Sequence, residues 1–330
     1  ALFSVFITLK GGFVLTAIIS AVVFTRGVFV FSKLWVDERS AGIACILGVV
    51  GTSYVEALHI FGQLPSVTGI GILLNVTPFI YQWIRSKKLI HLLLSLSFLS
   101  VITTVHHVTT IFGLVFFIFP VIGLAIMDIA ILPKGGRDKV RLLDFWKHLL
   151  KVFTPSILLG IGVIFVTLVA IFPYWAWSSS DPITQVPIPH GSRDSFIEVF
   201  SSGLVFFLIP WGMLLFFLPH LFRRVFTKRT IILALSLSGA FLLGTGGTTP
   251  LPEIILGETA FNILTLDRFT YWASILSLPF FGYYISSLLS GNFKQYLLDT
   301  FGYWSYRVTA GFWMSGIILT CIFVINIHYF

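Results

Sequence analysis

The chain has 330 residues, 57% hydrophobic and 10% charged, with a net charge of +8 and a mean hydropathy of +0.98. Soluble domains carry about 25% charged residues, and disordered chains need low hydrophobicity with high charge, so both classes are excluded. The composition predicts an all-α, polytopic transmembrane helical bundle, a single domain over residues 1–330, because ten helices of about 20 residues would leave only short loops.

The chain opens Ala-Leu-Phe without a methionine or a signal-peptide pattern, the expected start of a processed chain or of a piece of something longer. Apolar length and flanking charge then predict about ten spans: 12–35, 41–61, 66–84, 89–105, 109–132, 152–176, 198–219, 230–247, 270–290 and 309–329. Arg26 interrupts the first, and the fourth is short. Cys45 and Cys321 lie in apolar runs and read as free thiols.

In the second span, Glu56 and His59 stand three residues apart. In an α-helix that spacing puts both on one face. Gln63, Pro65 and Ser66 follow directly. His106 and His107 sit between the fourth and fifth spans; adjacent helical residues diverge by about 100°, so one narrow site takes both only if the helix breaks there. Ionisable groups in hydrocarbon cost about 2.5–3.5 kcal/mol at a helix centre, which makes Glu56 and these histidines candidates for a cavity rather than for lipid. Asp128, near the other end of the fifth span, is a further intramembrane carboxylate.

Residues 133–151 carry Leu142, Leu143, Trp146, Leu149 and Leu150 at helical spacing, with Lys139, Arg141, Lys147 and Lys151 between them. The pattern predicts an amphipathic helix in the cytoplasmic interface. Loop 177–197, rich in Ser and Pro and carrying Asp181 and Asp194, and loop 248–267 read as outward loops. The run Gly244–Gly247 predicts a turn whose backbone N–H groups face an anion. Asp267 and Arg268 open the ninth span, Arg268 as a fork for phosphate oxygens and Asp267 as the group that orients it.

Grouping the loops by side places 17 basic residues together and only Lys10, Arg193 and Arg268 opposite, with Arg26 unassigned among the 21. The positive-inside rule makes the basic side cytoplasmic. The net charge is then a rim facing anionic lipid headgroups and not a nucleic-acid signal. No Walker loop, nucleophile elbow, zinc motif or internal repeat is legible.

The order of the features carries a resemblance: Tyr54, Glu56, His59, Gly62, Gln63 and Pro65; then Val105-His106-His107-Val108-Thr109; then the Gly/Thr/Pro turn and Asp267-Arg268-Phe269-Thr270-Tyr271-Trp272. The chain resembles the bacterial membrane proteins named for a relation to 6-pyruvoyl-tetrahydropterin synthase, which look like glycosyltransferases of the GT-C superfamily. The resemblance implies sugar transfer from a polyprenyl-phosphate donor at the outer face of a bacterial cytoplasmic membrane. Glu56 would then be the catalytic carboxylate, with His59, Gln63, His106, His107, Asp267 and Arg268 binding substrate or donor. Neither a divalent cation requirement nor a metal ligand set follows from the residues. The expected partners are membrane lipids, a lipid-linked sugar donor and other membrane subunits.

GT-C enzymes carry catalytic carboxylates in the first outward loop, whereas no acidic residue here precedes residue 12. The departure implies either a missing first loop or an inactive relative. Two other functions therefore stand beside the enzyme: a non-catalytic scaffold or accessory subunit of a larger complex, and a transporter.

Overall fold

A computed structural model describes residues 8–130, 142–178 and 189–329; the side chains of 130, 142–149, 174–175 and 327–329 are excepted. Among the described residues the chain is helical throughout, with one isolated bridge between Ser195 and Gly246 and no strand.

The first helices form a compact unit. α1 (Leu9–Ser32) is followed by α2 (Glu38–Val49), whose first turn is capped by the Asp37 carboxylate accepting from the Ser40 amide and hydroxyl. Those bonds, the Ser40 hydroxyl foremost, hold Asp37 below its ordinary pKa. α2 breaks at Gly51 and resumes, bent by 43°, as α3 (Thr52–Val55) and a π-helical turn, Glu56–Ile60. α4 (Leu64–Ser86) and α5 (Leu89–Val105) form a hairpin across Lys87, which takes the left-handed conformation, and Lys88.

Next come α6 (His107–Gly113), a second π turn (Leu114–Ile118) and α7 (Phe119–Ala130). The long α8 runs from Leu142 to Ser178. The predicted interfacial helix is thus continuous with α8 from Leu142 onward; the rest of 133–141 lies outside the described residues, as does Asp181. α9 (Phe200–Gly203), a third π turn (Leu204–Leu208) and α10 (Ile209–Trp211) lead through Gly212 into α11 (Leu214–Val225), bent by 62°. α12 (Ile231–Leu243), the short α13 (Leu251–Leu256) and α14 (Glu258–Ile263), α15 (Asp267–Ser290) and α16 (Asn292–Tyr329, kinked at Gly302) complete the chain.

Among the described residues, six helices are long and apolar enough to cross a membrane, or eight if each bent pair is one span. The count of ten is not reached by length, because α5 and α12 have only 17 and 13 residues. α15 and α4 form the centre; α1, α8 and α16 lie at the periphery with wide exposed apolar faces.

The centre holds together by close packing and satisfied polar groups. Gly71 lets α4 approach α1, where a Cβ would meet the Phe24 backbone at 3.1 Å. Gly282 on α15 does the same against α2, at 2.3 Å from the Ser40 carbonyl oxygen. Small residues permit this approach where lipid offers no hydrophobic drive between helices. Arg26 of α1, exposed on that helix, donates to the Asn75 amide oxygen of α4, while Asn75 donates to the carbonyls of Val23 and Gly71 at 2.8 Å each.

At one end, which carries most of the basic residues, Asp128 of α7 accepts from Arg229 (2.9 and 3.1 Å) and from Tyr81 (2.7 Å). Arg229 also donates to the Leu34 carbonyl at 3.1 Å, and Arg85 to the Tyr81 hydroxyl at 2.8 Å. Hydrogen bonding to Asp128 raises the Arg229 pKa above its ordinary value.

Candidate functional site

The opposite end is where α3, α4, α6 and α15 bring most of the singled-out residues together. Its organising device is the π turn at Glu56–Ile60, closed by the Phe61 amide on the Glu56 carbonyl at 2.9 Å. Such turns widen the helix by one residue and recur at functional sites. The widening also explains a correction. Glu56 is 2% exposed, whereas His59 lies at the surface; the three-residue spacing that aligns side chains in an α-helix separates them here.

Glu56 faces the start of α15. Its carboxylate lies within electrostatic range of Asp267, which is 5% exposed. Gln63, just beyond the π turn, donates from Nε2 to Asp267 Oδ2 at 2.7 Å. One oxygen of each carboxylate, Glu56 Oε2 and Asp267 Oδ1, is buried with no hydrogen-bond partner, as is Nε of Arg268. The same segments hold the unpartnered hydroxyls of Tyr54 and Tyr271, whose rings both stack on Phe24 with centroids 4.5 and 6.3 Å away.

Of the twelve buried side-chain polar atoms without partners among the described residues, eight belong to segments 54–66 and 265–272. Buried polar groups are satisfied in the great majority of cases, and an orphaned one costs about 1–3 kcal/mol. Their concentration at one end of the bundle marks that end as the candidate site. The two tyrosines and Trp272 escape a reading by residue chemistry, because aromatics at helical spacing read as core. The available signal was Tyr271 standing one helical turn after Asp267.

His106 belongs to the same end. The backbone breaks there (φ −161°, ψ 90°), and the imidazole caps α6, its Nδ1 accepting from the Thr109 amide at 3.2 Å. With Nδ1 accepting, the neutral ring carries its proton on Nε2. His106 packs against Gly69 of α4 and feels the Arg268 charge. His107 points to the surface, its ring 6.3 Å from that of His106. The helix break that a shared site requires is thus present, yet only His106 faces inward. No group of three or more His, Cys, Asp or Glu able to hold a metal forms among the described residues.

The loops around residues 192–194 and 244–266 act as structural clamps on this end. Arg193 donates to the Asn262 carbonyl, Asp194 accepts from Ser202 at 2.6 Å, and the Ser192 hydroxyl accepts from the Leu266 amide at 2.9 Å. The glycine turn is spent on the same purpose. The Gly247 amide donates to the Asp194 carbonyl, and Cβ atoms at Gly244, Gly246 or Gly247 would run into Thr270, Ser192 or Arg193. It is a tight seam between loops and not an anion cradle. α13 lies beside it with Ile254 and Ile255 exposed, as suits an interfacial helix.

Below the polar cluster runs an apolar crevice reaching from Gly51 and Ser53 past Pro210 and Leu278 to Ile317 and Thr320. Ser53 closes its top by a 2.7 Å hydrogen bond to Ser274. Cys45 and Cys321 are free, as predicted, and are half-buried instead of fully buried.

No protein-family model, no curated protein and no solved structure matches this chain.

Proposed function

We propose that this protein is an integral membrane glycosyltransferase-like enzyme that takes its sugar from a polyprenyl-phosphate donor at the outer face of a bacterial cytoplasmic membrane. The observation that carries the reading is the convergence of unpartnered Glu56 Oε2, Asp267 Oδ1 and Arg268 Nε. The apolar crevice beneath them has the chemistry to accept a prenyl chain. In this reading the chain passes ten times through the membrane. Support comes from α5 and α12: short as they are, α5 ends at His106 beside Gly69, and α12 runs from the Arg229 end to Gly244 against Thr270. The basic end then faces the cytoplasm.

Transfer breaks the bond between the anomeric carbon and the phosphate oxygen and forms one to the acceptor oxygen. Glu56 takes the acceptor hydroxyl proton as general base. Arg268 stabilises the charge left on the lipid phosphate; Asp267, fixed by Gln63, acts on Arg268 through its charge and not through a direct pair. His106 Nε2–H donates to donor or acceptor. His59 and His107, at the surface, are left for the entry of the acceptor rather than for chemistry.

The test is transfer from a radiolabelled polyprenyl-phosphate hexose in inner-membrane vesicles. Glu56→Gln and Arg268→Ala are each expected to lower the rate by at least 100-fold with normal protein levels; an unchanged rate in both would put the chemistry elsewhere. A second reading, a non-catalytic subunit of a larger complex, draws on the exposed Arg26 on the lipid-facing α1, which a partner helix would cover. Stoichiometric co-purification with other membrane proteins and no transfer activity would favour it.

A further inference from the structure

The basic end holds a second candidate site, far from Glu56 and unused by the proposed chemistry. Three neighbouring cavities share Arg224 as a common wall. One, of about 410 Å³, lies between the α1–α2 loop and α15, bounded by Lys33, Trp35, Arg229 and Tyr283. The other two, of about 250 and 540 Å³, lie between α11 and the α15–α16 corner and share His220, Phe293 and Tyr296. The corner is fixed by the Phe293 amide donating to Ser287 Oγ at 3.1 Å, and its wall by His220 against Tyr284 with centroids 4.7 Å apart.

The charges in this cleft are unevenly satisfied. Lys33 is paired with Glu38 at 3.1 Å and Arg229 with Asp128 at 2.9 Å; these are the two ion pairs among the described residues. Asp37, the carboxylate on the cleft wall, is turned toward the first turn of α2. Among the described residues no carboxylate pairs with Arg223 or Arg224. Arg224 lies over the Tyr283 ring, 5.4 Å from its centroid, which places the guanidinium without neutralising it. Arg223 joins it in the largest of the three cavities, which Thr227, Tyr296 and Phe293 also line. Two unneutralised guanidiniums, a hydroxyl and an aromatic wall in one concave space fit a phosphate attached to a carbon skeleton.

We propose that this cleft binds an organic phosphate, its phosphate oxygens held by Arg223 and Arg224 and its carbon skeleton laid along Tyr296 and Phe293. The same chemistry is offered by the headgroup of an anionic phospholipid and by a free phosphate, and the test separates them.

The full chain, purified in a neutral detergent, would be melted in mixed micelles containing phosphatidic acid or phosphatidylcholine, and separately with inorganic pyrophosphate. Ligands that bind the native state raise the unfolding midpoint. Phosphatidic acid is expected to raise it by about 3 °C or more relative to phosphatidylcholine. The double variant Arg223→Gln/Arg224→Gln, melting as the wild type does without ligand, is expected to lose that rise. The exposed pair Lys87→Gln/Lys88→Gln, at the same end but outside the cleft, removes equal charge and is expected to keep it. A rise with pyrophosphate that depends on the same arginines assigns the site to a free phosphate; a rise with phosphatidic acid alone assigns it to a lipid headgroup. The proposal fails if neither ligand shifts the wild type, or if the lysine variant loses the rise as fully as the arginine variant.

Discussion

Two segments of this protein carry almost the same eight residues: Gly-Leu-Val-Phe-Phe-Ile-Phe-Pro at 113–120 and Gly-Leu-Val-Phe-Phe-Leu-Ile-Pro at 203–210. Both form a π turn over the same five positions, each closed by an amide reaching back five residues, Phe119 to Leu114 and Ile209 to Leu204. Proline at the eighth position lacks an N–H and its ring clashes with the carbonyl four residues back; the wider turn just before it relieves both. The local hydrogen-bond register therefore belongs to the octapeptide.

Everything else about the two segments differs. The first continues straight through α7 with Phe116, Phe117 and Ile118 buried, Phe116 against Phe269 of α15 and Phe117 against Phe31 of α1. The second buries none of its π-turn residues and turns by 62° at Gly212, where φ is +45°. Its bend nests against the other broken helix, the Thr52 hydroxyl donating to the Pro210 carbonyl at 3.1 Å. Even their far ends contrast: α7 ends near Asp128, bound to Arg229 and Tyr81, and α11 ends at the unpaired Arg223 and Arg224. Sequence sets the turn, and the neighbours set bend, burial and charge balance.

The sharpest way to break this contrast is at the far ends. Asp128→Ala removes the acceptor for two partners and is expected to cost about 3 kcal/mol, the lower end of the range for a broken buried pair because Arg229 is partly exposed. Arg223→Gln is expected to leave stability within about 0.5 kcal/mol. Unfolding of both variants by dodecyl sulfate in mixed micelles measures the difference. Next come the twin phenylalanines. Phe117→Ala should cost about 2–3 kcal/mol, below the usual range for soluble cores, since lipid is as apolar as the interior and only packing is lost; Phe207→Ala, half-buried, should cost less than half as much in the same assay. The smallest effect is at the bend. Gly212→Ala is expected to cost about 1–2 kcal/mol, because an L-residue resists that conformation and its Cβ would sit 3.0 Å from Thr52 Oγ1. Gly42→Ala, on α2 with open space around it, is the matched control and should be neutral or slightly stabilising.

Much of the fold was legible, since apolar runs and flanking charges mark a helix within each predicted span, and the sorting of basic residues to one end emerges as a physical end of the bundle. The short fourth span matches α5, whereas α12 stops at Leu243, before the predicted end at 247, because hydropathy averages over the polar turn at Gly244. At the candidate site, Glu56, Gln63, Asp267, Arg268 and His106 meet as their common depth suggested. His59 does not, because a π turn changes the angular step and spacing arguments assume an α-helix. The glycines at 244–247 read as a ligand cradle from sequence, when their role is to let two loops close on each other. The octapeptide repeat does not read as an architectural repeat, because it is shorter than a helix and its two copies sit in different surroundings.

Arg26 has one further consequence. It lies about two turns above the Ser32 end of α1 on a face otherwise occupied by Val22, Ile18 and Val14, all exposed. Its guanidinium is held at the level of Asn75 instead of reaching down to the headgroups. A charge fixed there draws water and headgroups toward it, thinning that leaflet locally. On the proposed ten-span reading, the 13 residues of α12 rise about 20 Å and call for the same adjustment against a hydrocarbon core of about 30 Å. The protein would thus shape the bilayer around it, gathering short-chain lipids at its flank and favouring the thinner membranes of a cell.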